Sequence, residues 1–234
     1  MQVIFRCCEK EPTISYVNRY KNYSKKTILR KSWLSLNESA ADQDAITIIH
    51  DEVSPETLKW MYSTCKFSLI RKIVPVEKHS FEHHLHTIVA INELEILAKE
   101  SPTEYILMIE DDYLFSDNAL NVMRGLKLWN GFSVPYDYID RYKNPKPSGV
   151  MLGPTCHWRT IDSSTMTVGA RGKLWEEVIP ELKEAAPTSN DKVFESLYTD
   201  HKYVCIGPIP GVASHLTEHH STPYFDVEKR WTSI

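Results

Sequence analysis

Short apolar runs alternate along this chain with longer segments whose apolar residues recur at helical spacing. Gln2 to Cys8 begins with Val3-Ile4-Phe5 and reads as a short buried strand, followed by a polar loop to about Ser24. Leu29, Trp33, Leu36 and Ala40 then mark one side of an amphipathic helix. Ile46, Ile48 and Ile49 give a second strand, and Ser54-Pro55-Glu56 starts a helix, with Ser as N-cap and Pro in the first turn. A third strand is predicted within Phe67 to Val76. A helix with Leu85, Ile88, Val89 and Ile96 on one side is predicted to run to about Glu100.

Tyr105-Ile106-Leu107-Met108-Ile109 is apolar at every position, the pattern of a central parallel strand covered on both faces. A helix from about Ser116 to Trp129 and a long functional loop from Gly131 to Pro154 follow. Beyond them the pattern predicts a strand at Thr165–Val168 and a helix over Lys173–Ala185 with a break at Pro180. A further helix capped by Ser189 or Asn190 and a late strand at Tyr203–Ile206 complete the reading. Alternating β and α elements imply an α/β fold with a mostly parallel central sheet and helices on both faces. No internal repeat divides the chain, so one domain spans 1–234.

Composition narrows this little. The chain has 234 residues, 42% hydrophobic, which suffices for one sizeable core. No apolar run reaches the roughly 18 residues of a membrane span and no basic-then-apolar leader opens the chain, so a cytoplasmic protein is expected. Five cysteines without a C-x-x-C pair argue against a disulfide framework and a structural zinc site. The net charge of −4 gives no general attraction to nucleic acid, although Pro12 to Asn37 holds no acid at all. There Arg19, Lys21, Lys25, Lys26, Arg30 and Lys31 interleave with Tyr16, Tyr20 and Tyr23, which suits either phosphate contacts with base stacking or a solvated helix face.

The candidate chemistry lies at strand ends. Asp51-Glu52 follows the second strand, and Glu110-Asp111-Asp112 follows the most buried one; in open α/β sheets such loops line the ligand crevice. Three adjacent acids raise one another's pKa, a cost that a divalent cation removes. Mn²⁺ or Mg²⁺ takes one or two carboxylates together with substrate phosphates. The alternative is a solvated acidic turn that ends a strand.

The order βαβαβ, with Ile46 to Ser54 and Glu104 to Asp112 as its strand-end motifs, resembles the nucleotide-binding half of family-2-like GT-A glycosyltransferases. The likeness covers the first half of the chain well and the second loosely. It implies a nucleotide-sugar-binding half at 1–116 and an acceptor-binding and catalytic half at 117–234. It also implies a nucleoside-diphosphate-sugar donor and an Mn²⁺ or Mg²⁺ cofactor. By position, Asp51 resembles the acid on the base, Glu110 a nucleotide or ribose contact with Asp111 beside it, and Asp112 the metal ligand. His215, after the late strand, stands where a histidine completes the metal site in some such enzymes. Asp191 matches the carboxylate that serves as catalytic base, although the helix dipole alone favours an acid there.

Other motifs fit less closely. His79, His83, His84 and His86 lack the order of an H-E-x-x-H zinc site; near a helix start they read as diphosphate contacts or as a solvated helix end. Trp158-Arg159, in an expected loop, suits an acceptor platform, as does the stretch from Tyr136 to Tyr142. The reaction implied is inverting glycosyl transfer to an acceptor hydroxyl on a glycan or small molecule. The basic stretch leaves room for a hydroxymethylated base in DNA. A nucleotidyltransferase is the rival, weakened because Arg6 to Asn22 contains no glycine for a phosphate loop; a non-catalytic sugar-nucleotide-binding module is the other.

Overall fold

The computed structural model describes residues 1–9, 23–76, 83–137, 149–153, 156–162, 164–186, 190–200 and 202–216, with 83–85, 190 and 191 described in backbone only. The first half runs β1 (Gln2–Cys8), α1 (Lys25–Glu38), β2 (Ala45–Asp51), α2 (Pro55–Ser63), β3 (Leu69–Pro75), α3 (His83–Glu100) and β4 (Tyr105–Glu110). The second runs β5 (Tyr113–Phe115), α4 (Ala119–Arg124), β6 (Phe132–Ser133), β7 (Val150–Met151), β8 (His157–Ile161) and β9 (Val168–Arg171). It ends with α5 (Gly172–Ala185), α6 (Asn190–Thr199), β10 (Cys205–Ile209) and β11 (Ala213–His215).

One nine-stranded sheet joins both halves in the order β3-β2-β1-β4-β9-β6-β10-β8-β7, and β5 with β11 forms a separate ribbon. β3, β2, β1 and β4 are mutually parallel, and β9 then enters antiparallel to β4. The fold is thus the expected α/β sheet, parallel where the apolar runs are longest and mixed beyond.

Burial explains the parallel part. Val3, Ile4 and Phe5 in β1 and Ile106 to Ile109 in β4 are fully covered. One face meets α1, where Phe5 packs on Trp33 with centroids 5.5 Å apart. On α5, Trp175 donates its indole N–H to the carbonyl of Ile106 at 3.1 Å. Ser24 Oγ accepts the Thr27 amide and Ser54 Oγ the Thr57 amide, so α1 and α2 start at their hydroxyl caps.

Several elements differ from the pattern reading. On α3 the buried stripe is Ala90, Ile91, Leu94, Leu97 and Ala98, while Ile96 is exposed. The helix after Ser116 is short, ending at Arg124 before Gly125. Pro180 lies inside α5 without breaking it. Burial of Leu174, Trp175, Val178, Ile179 and Leu182, at about 1.5–3 kcal/mol per large side chain, outweighs the roughly 3 kcal/mol that an interior proline costs. The strand expected at Thr165–Val168 is β9, shifted to Val168–Arg171, because its partners are Tyr105 to Met108. The segment read as one loop from Gly131 contributes β6, inserted between β9 and β10, and β7 at the sheet edge.

Candidate active site

β1 has β2 on one side and β4 on the other, so the chain leaves outward through β2 and β3 and returns to β4. The carboxyl ends of β1 and β4 therefore flank a topological switch point, where open α/β sheets bind their ligands. Cys8 and Glu9 leave β1 there, Asp51 and Glu52 leave β2, and Glu110-Asp111-Asp112 leaves β4.

Each acid of the triplet meets a base from a different element. Glu110 faces Arg6 of β1 at 3.5 Å, and its amide donates to Thr167 Oγ1 at 3.1 Å. Asp111 is buried: its Oδ1 lies 2.5 Å from Lys25 Nζ, at the start of α1, and its Oδ2 accepts the Cys8 amide at 2.7 Å. Asp112 faces His215 of β11, with Oδ2 3.1 Å from Nε2. Burial raises the Asp111 carboxyl and Asp112 adds to this, with Lys25 pulling the other way. Burial would lower the Lys25 ammonium, but Asp111 and Asp112 together carry it above its ordinary value, so Lys25 stays charged.

The β5–β11 ribbon builds the Asp112–His215 pair. His215 is in register with Tyr113, and the Leu216 amide donates to the Asp112 carbonyl at 2.7 Å. The Tyr113 ring meets the imidazole edge-on at 4.6 Å and stacks on Tyr136 at 5.4 Å. Thr165 ties both phenols, its hydroxyl 3.1 Å from Tyr113 Oη and its amide donating to Tyr136 Oη at 3.0 Å. The histidine thus sits against a packed aromatic wall.

A carboxylate and an imidazole in contact form a mixed oxygen and nitrogen donor set that suits Mn²⁺ better than Mg²⁺. Among the described residues, no group of three or more His, Cys, Asp or Glu is arranged to hold a metal ion. Two protein ligands match the one or two that divalent cations typically take from a protein where phosphates and water complete the shell.

Asp51, half-buried, ends β2, and Glu52 beyond it turns the chain with a φ of 48°. Beside them Glu9 accepts the Ser54 amide at 2.6 Å and the Thr57 hydroxyl at 2.9 Å, with Lys26 at 3.1 Å. Although burial opposes it, these bonds hold the Glu9 carboxyl down at about 2. Behind the crevice, Arg6 donates to Thr87 Oγ1 at 3.1 Å, and His86 is pushed down to about 3 by burial and then by the charge of Arg6. It is therefore a neutral imidazole at any physiological pH.

The remaining sequence candidates divide. Trp158 and Arg159 lie on strand β8 and not in a loop. Trp158 is buried and Arg159 pairs with the fully buried Asp137 at 3.3 Å, while Tyr136 is also core. Both thus stand on a paired strand, β8 against β10, where a loop was expected. Lys25 and Lys26, read as phosphate contacts or solvated positions, instead bind Asp111 and Glu9. Asp191 lies in the first turn of α6, but its side chain is outside the described residues, as are those of His83 and His84. Tyr16, Arg19, Tyr20, Lys21, His79, Ser189 and the stretch from Tyr138 to Tyr142 also fall outside them. Arg6, Glu9, Lys25 as a partner of Asp111, and Thr165 carry site geometry that sequence reasoning missed. Each acts across the fold, and no local spacing signals it.

Comparison with known proteins places the fold. No protein-family model matches the chain, and no curated protein matches it by sequence. Among solved structures, the chain is similar to 4-diphosphocytidyl-2C-methyl-D-erythritol synthase from Anaerococcus prevotii, with a TM-score of 0.53 and 11% identity, covering 99% of this chain and 93% of that one. It is similar to a chain described as a nucleotide-diphospho-sugar transferase from Desulfovibrio desulfuricans, with a TM-score of 0.50 and 6% identity, covering 88% and 78%. It also resembles TarS from S. aureus, with a TM-score of 0.50 and 14% identity, over 88% of this chain but 34% of that one. At these identities the likeness concerns the fold: this is a GT-A-like α/β domain, of the architecture shared by glycosyltransferases and nucleotidyltransferases. Among the described residues, no helix is long and apolar enough to cross a membrane.

Proposed function

We propose that this chain transfers a sugar from a nucleoside-diphosphate sugar to an acceptor hydroxyl, using a divalent cation held by Asp112 and His215. The observation that carries the reading is the 3.1 Å approach of His215 to Asp112 at the carboxyl ends of the parallel strands. When bound there, such a cation supplies Lewis-acid neutralisation of the departing nucleoside diphosphate.

The chain's own residues supply the rest. Asp51, at the exit of β2, accepts a hydrogen bond from the base. Asp112 offers a carboxylate oxygen and His215 an imidazole nitrogen, each held by the β5–β11 ribbon. Asp191, in the first turn of α6, takes the proton of the attacking hydroxyl; the new bond forms from that oxygen to the anomeric carbon as the bond to the phosphate oxygen breaks, inverting the centre. A neutral acceptor hydroxyl is favoured over a polyanion, because Lys25 and Lys26 are bound to acids within the protein.

A panel of nucleotide sugars incubated with Mn²⁺ or Mg²⁺ tests the reading through donor binding and slow release of nucleoside diphosphate. Formation of a nucleotide sugar from a nucleoside triphosphate and a sugar phosphate, with pyrophosphate released, would assign the site to nucleotidyl transfer instead. Binding without any turnover would leave a sugar-nucleotide-binding module.

A further inference from the structure

The middle acid of the triplet differs from its neighbours in the direction it faces. Asp111 turns into the protein, its side chain 8% exposed, held by the Cys8 amide on one oxygen and by Lys25 on the other. Lys25 is not on a mobile segment: it is the first residue of α1, behind the Ser24 cap, and α1 is anchored by fully buried Leu29, Trp33 and Leu36. The same helix holds the far side of the acidic turn, since Ser35 Oγ accepts the Phe115 amide of β5 at 3.0 Å. Asp112 therefore lies on a turn gripped from both ends by one helix, through Lys25 on Asp111 and through Ser35 on β5.

We propose that Lys25 is a positioning residue for this motif: through Asp111 it fixes the turn that presents Asp112 to His215, and the neutral Lys25–Asp111 pair sets the charge that a divalent cation meets there. This rests on the reading of Asp112 and His215 as a cation site. The pair has no net charge while both partners are present. Removing the aspartate leaves the lysine's positive charge beside Asp112, which opposes a cation, and removing the lysine as well takes that charge away.

The test is an Mn²⁺ titration of the full chain by electron paramagnetic resonance, with thermal melting recorded for each variant. Asp111→Asn binds Mn²⁺ more weakly than the parent. The loss is about tenfold or more, since a unit charge one side-chain length from a divalent ion gives about tenfold at an effective dielectric of 80 and more as the dielectric falls toward 20. Lys25→Arg, which keeps the charge, stays near the parent. In the double variant Lys25→Met with Asp111→Asn, neutrality returns and the amide oxygen still accepts the Cys8 N–H, so affinity recovers. That gain on adding Lys25→Met to Asp111→Asn is the decisive readout, because damage to the fold only loses affinity. It also holds if Lys25→Met alone leaves a buried charge that prevents folding. A double variant no better than Asp111→Asn overturns the role of Lys25 and leaves the cation site standing. A parent chain that binds no Mn²⁺ even with a nucleoside diphosphate present overturns the cation site itself and this role with it.

Discussion

His215 Nε2 stands 3.1 Å from Asp112 Oδ2, and the pair is made by the antiparallel register of β11 on β5 rather than by anything near either residue in sequence. Removing either side chain leaves the ribbon's backbone bonds intact, so its consequence is chemical. Asp112→Ala is expected to abolish Mn²⁺-dependent binding of a nucleoside diphosphate, and His215→Ala to weaken it about tenfold or more. Both should keep the parent melting temperature to within a few degrees. Calorimetry with and without Mn²⁺ checks this, and unchanged affinity in the Asp112 variant would remove the cation assignment.

Asp51 lies at the end of β2, across β1 from the acidic turn of β4. Its proposed partner is the base, so Asp51→Ala should weaken nucleotide binding by about tenfold, the effect of one lost hydrogen bond to a charged group. The loss should be equal with Mn²⁺ present or chelated. A defect confined to the Mn²⁺ condition would move Asp51 to the phosphate side of the site.

Glu9 ties the end of β1 to the start of α2, and its carboxyl is lowered from an ordinary 4.5 to about 2. As pH falls, the unfolded chain binds this proton first. The contribution to stability is therefore complete above about 4.5 and lost as pH drops through about 2. Glu9→Gln should reduce stability at neutral pH by about 1–3 kcal/mol and flatten its fall over that acidic window. Urea melts at neutral and acidic pH measure both, and parallel curves for parent and variant would contradict the assignment.

Gly169 of β9 passes directly over the Tyr105 ring of β4. A Cβ placed there would stand 2.6 Å from Tyr105 Cζ, and the ring is locked by the contact of its hydroxyl with Ser133 Oγ. Gly169→Ala is expected to cost about 1–3 kcal/mol by overpacking. It should lower the melting temperature by several degrees, at about 2–4 °C per kcal/mol for a domain of this size. An unchanged melting temperature would show that the β4–β9 seam yields where the structure has it rigid.

The sequence by itself determined the elements whose signals are local. The apolar runs of β1, β2 and β4, the hydroxyl caps of α1 and α2, and the position of three acids at a buried strand's end need only neighbouring residues to be read. Together they define the parallel α/β half and the crevice at its strand ends. Signals failed where the neighbour that decides is distant. β8 exists because β10 lies alongside it, and Trp158 on it is buried, where the local pattern of aromatic and charged residues suggested a loop. Proline inside α5 is tolerated because a buried face holds the helix, which a propensity for breaking cannot weigh.

Within the site, the acids were legible and their partners were not. Lys25 belongs to a basic, tyrosine-rich stretch whose composition says solvent or phosphate, yet α1 delivers it to Asp111. Arg6 and Thr87 meet behind Glu110, and Thr165 braces the aromatic wall behind His215, through contacts between elements far apart in the chain. An ionisable side chain carries its charge in the sequence, but the low-dielectric neighbour that fixes its direction and its pKa is supplied by tertiary packing alone. For this protein the sequence set which groups gather at the ends of the parallel strands, and the folded structure decided which of them face one another.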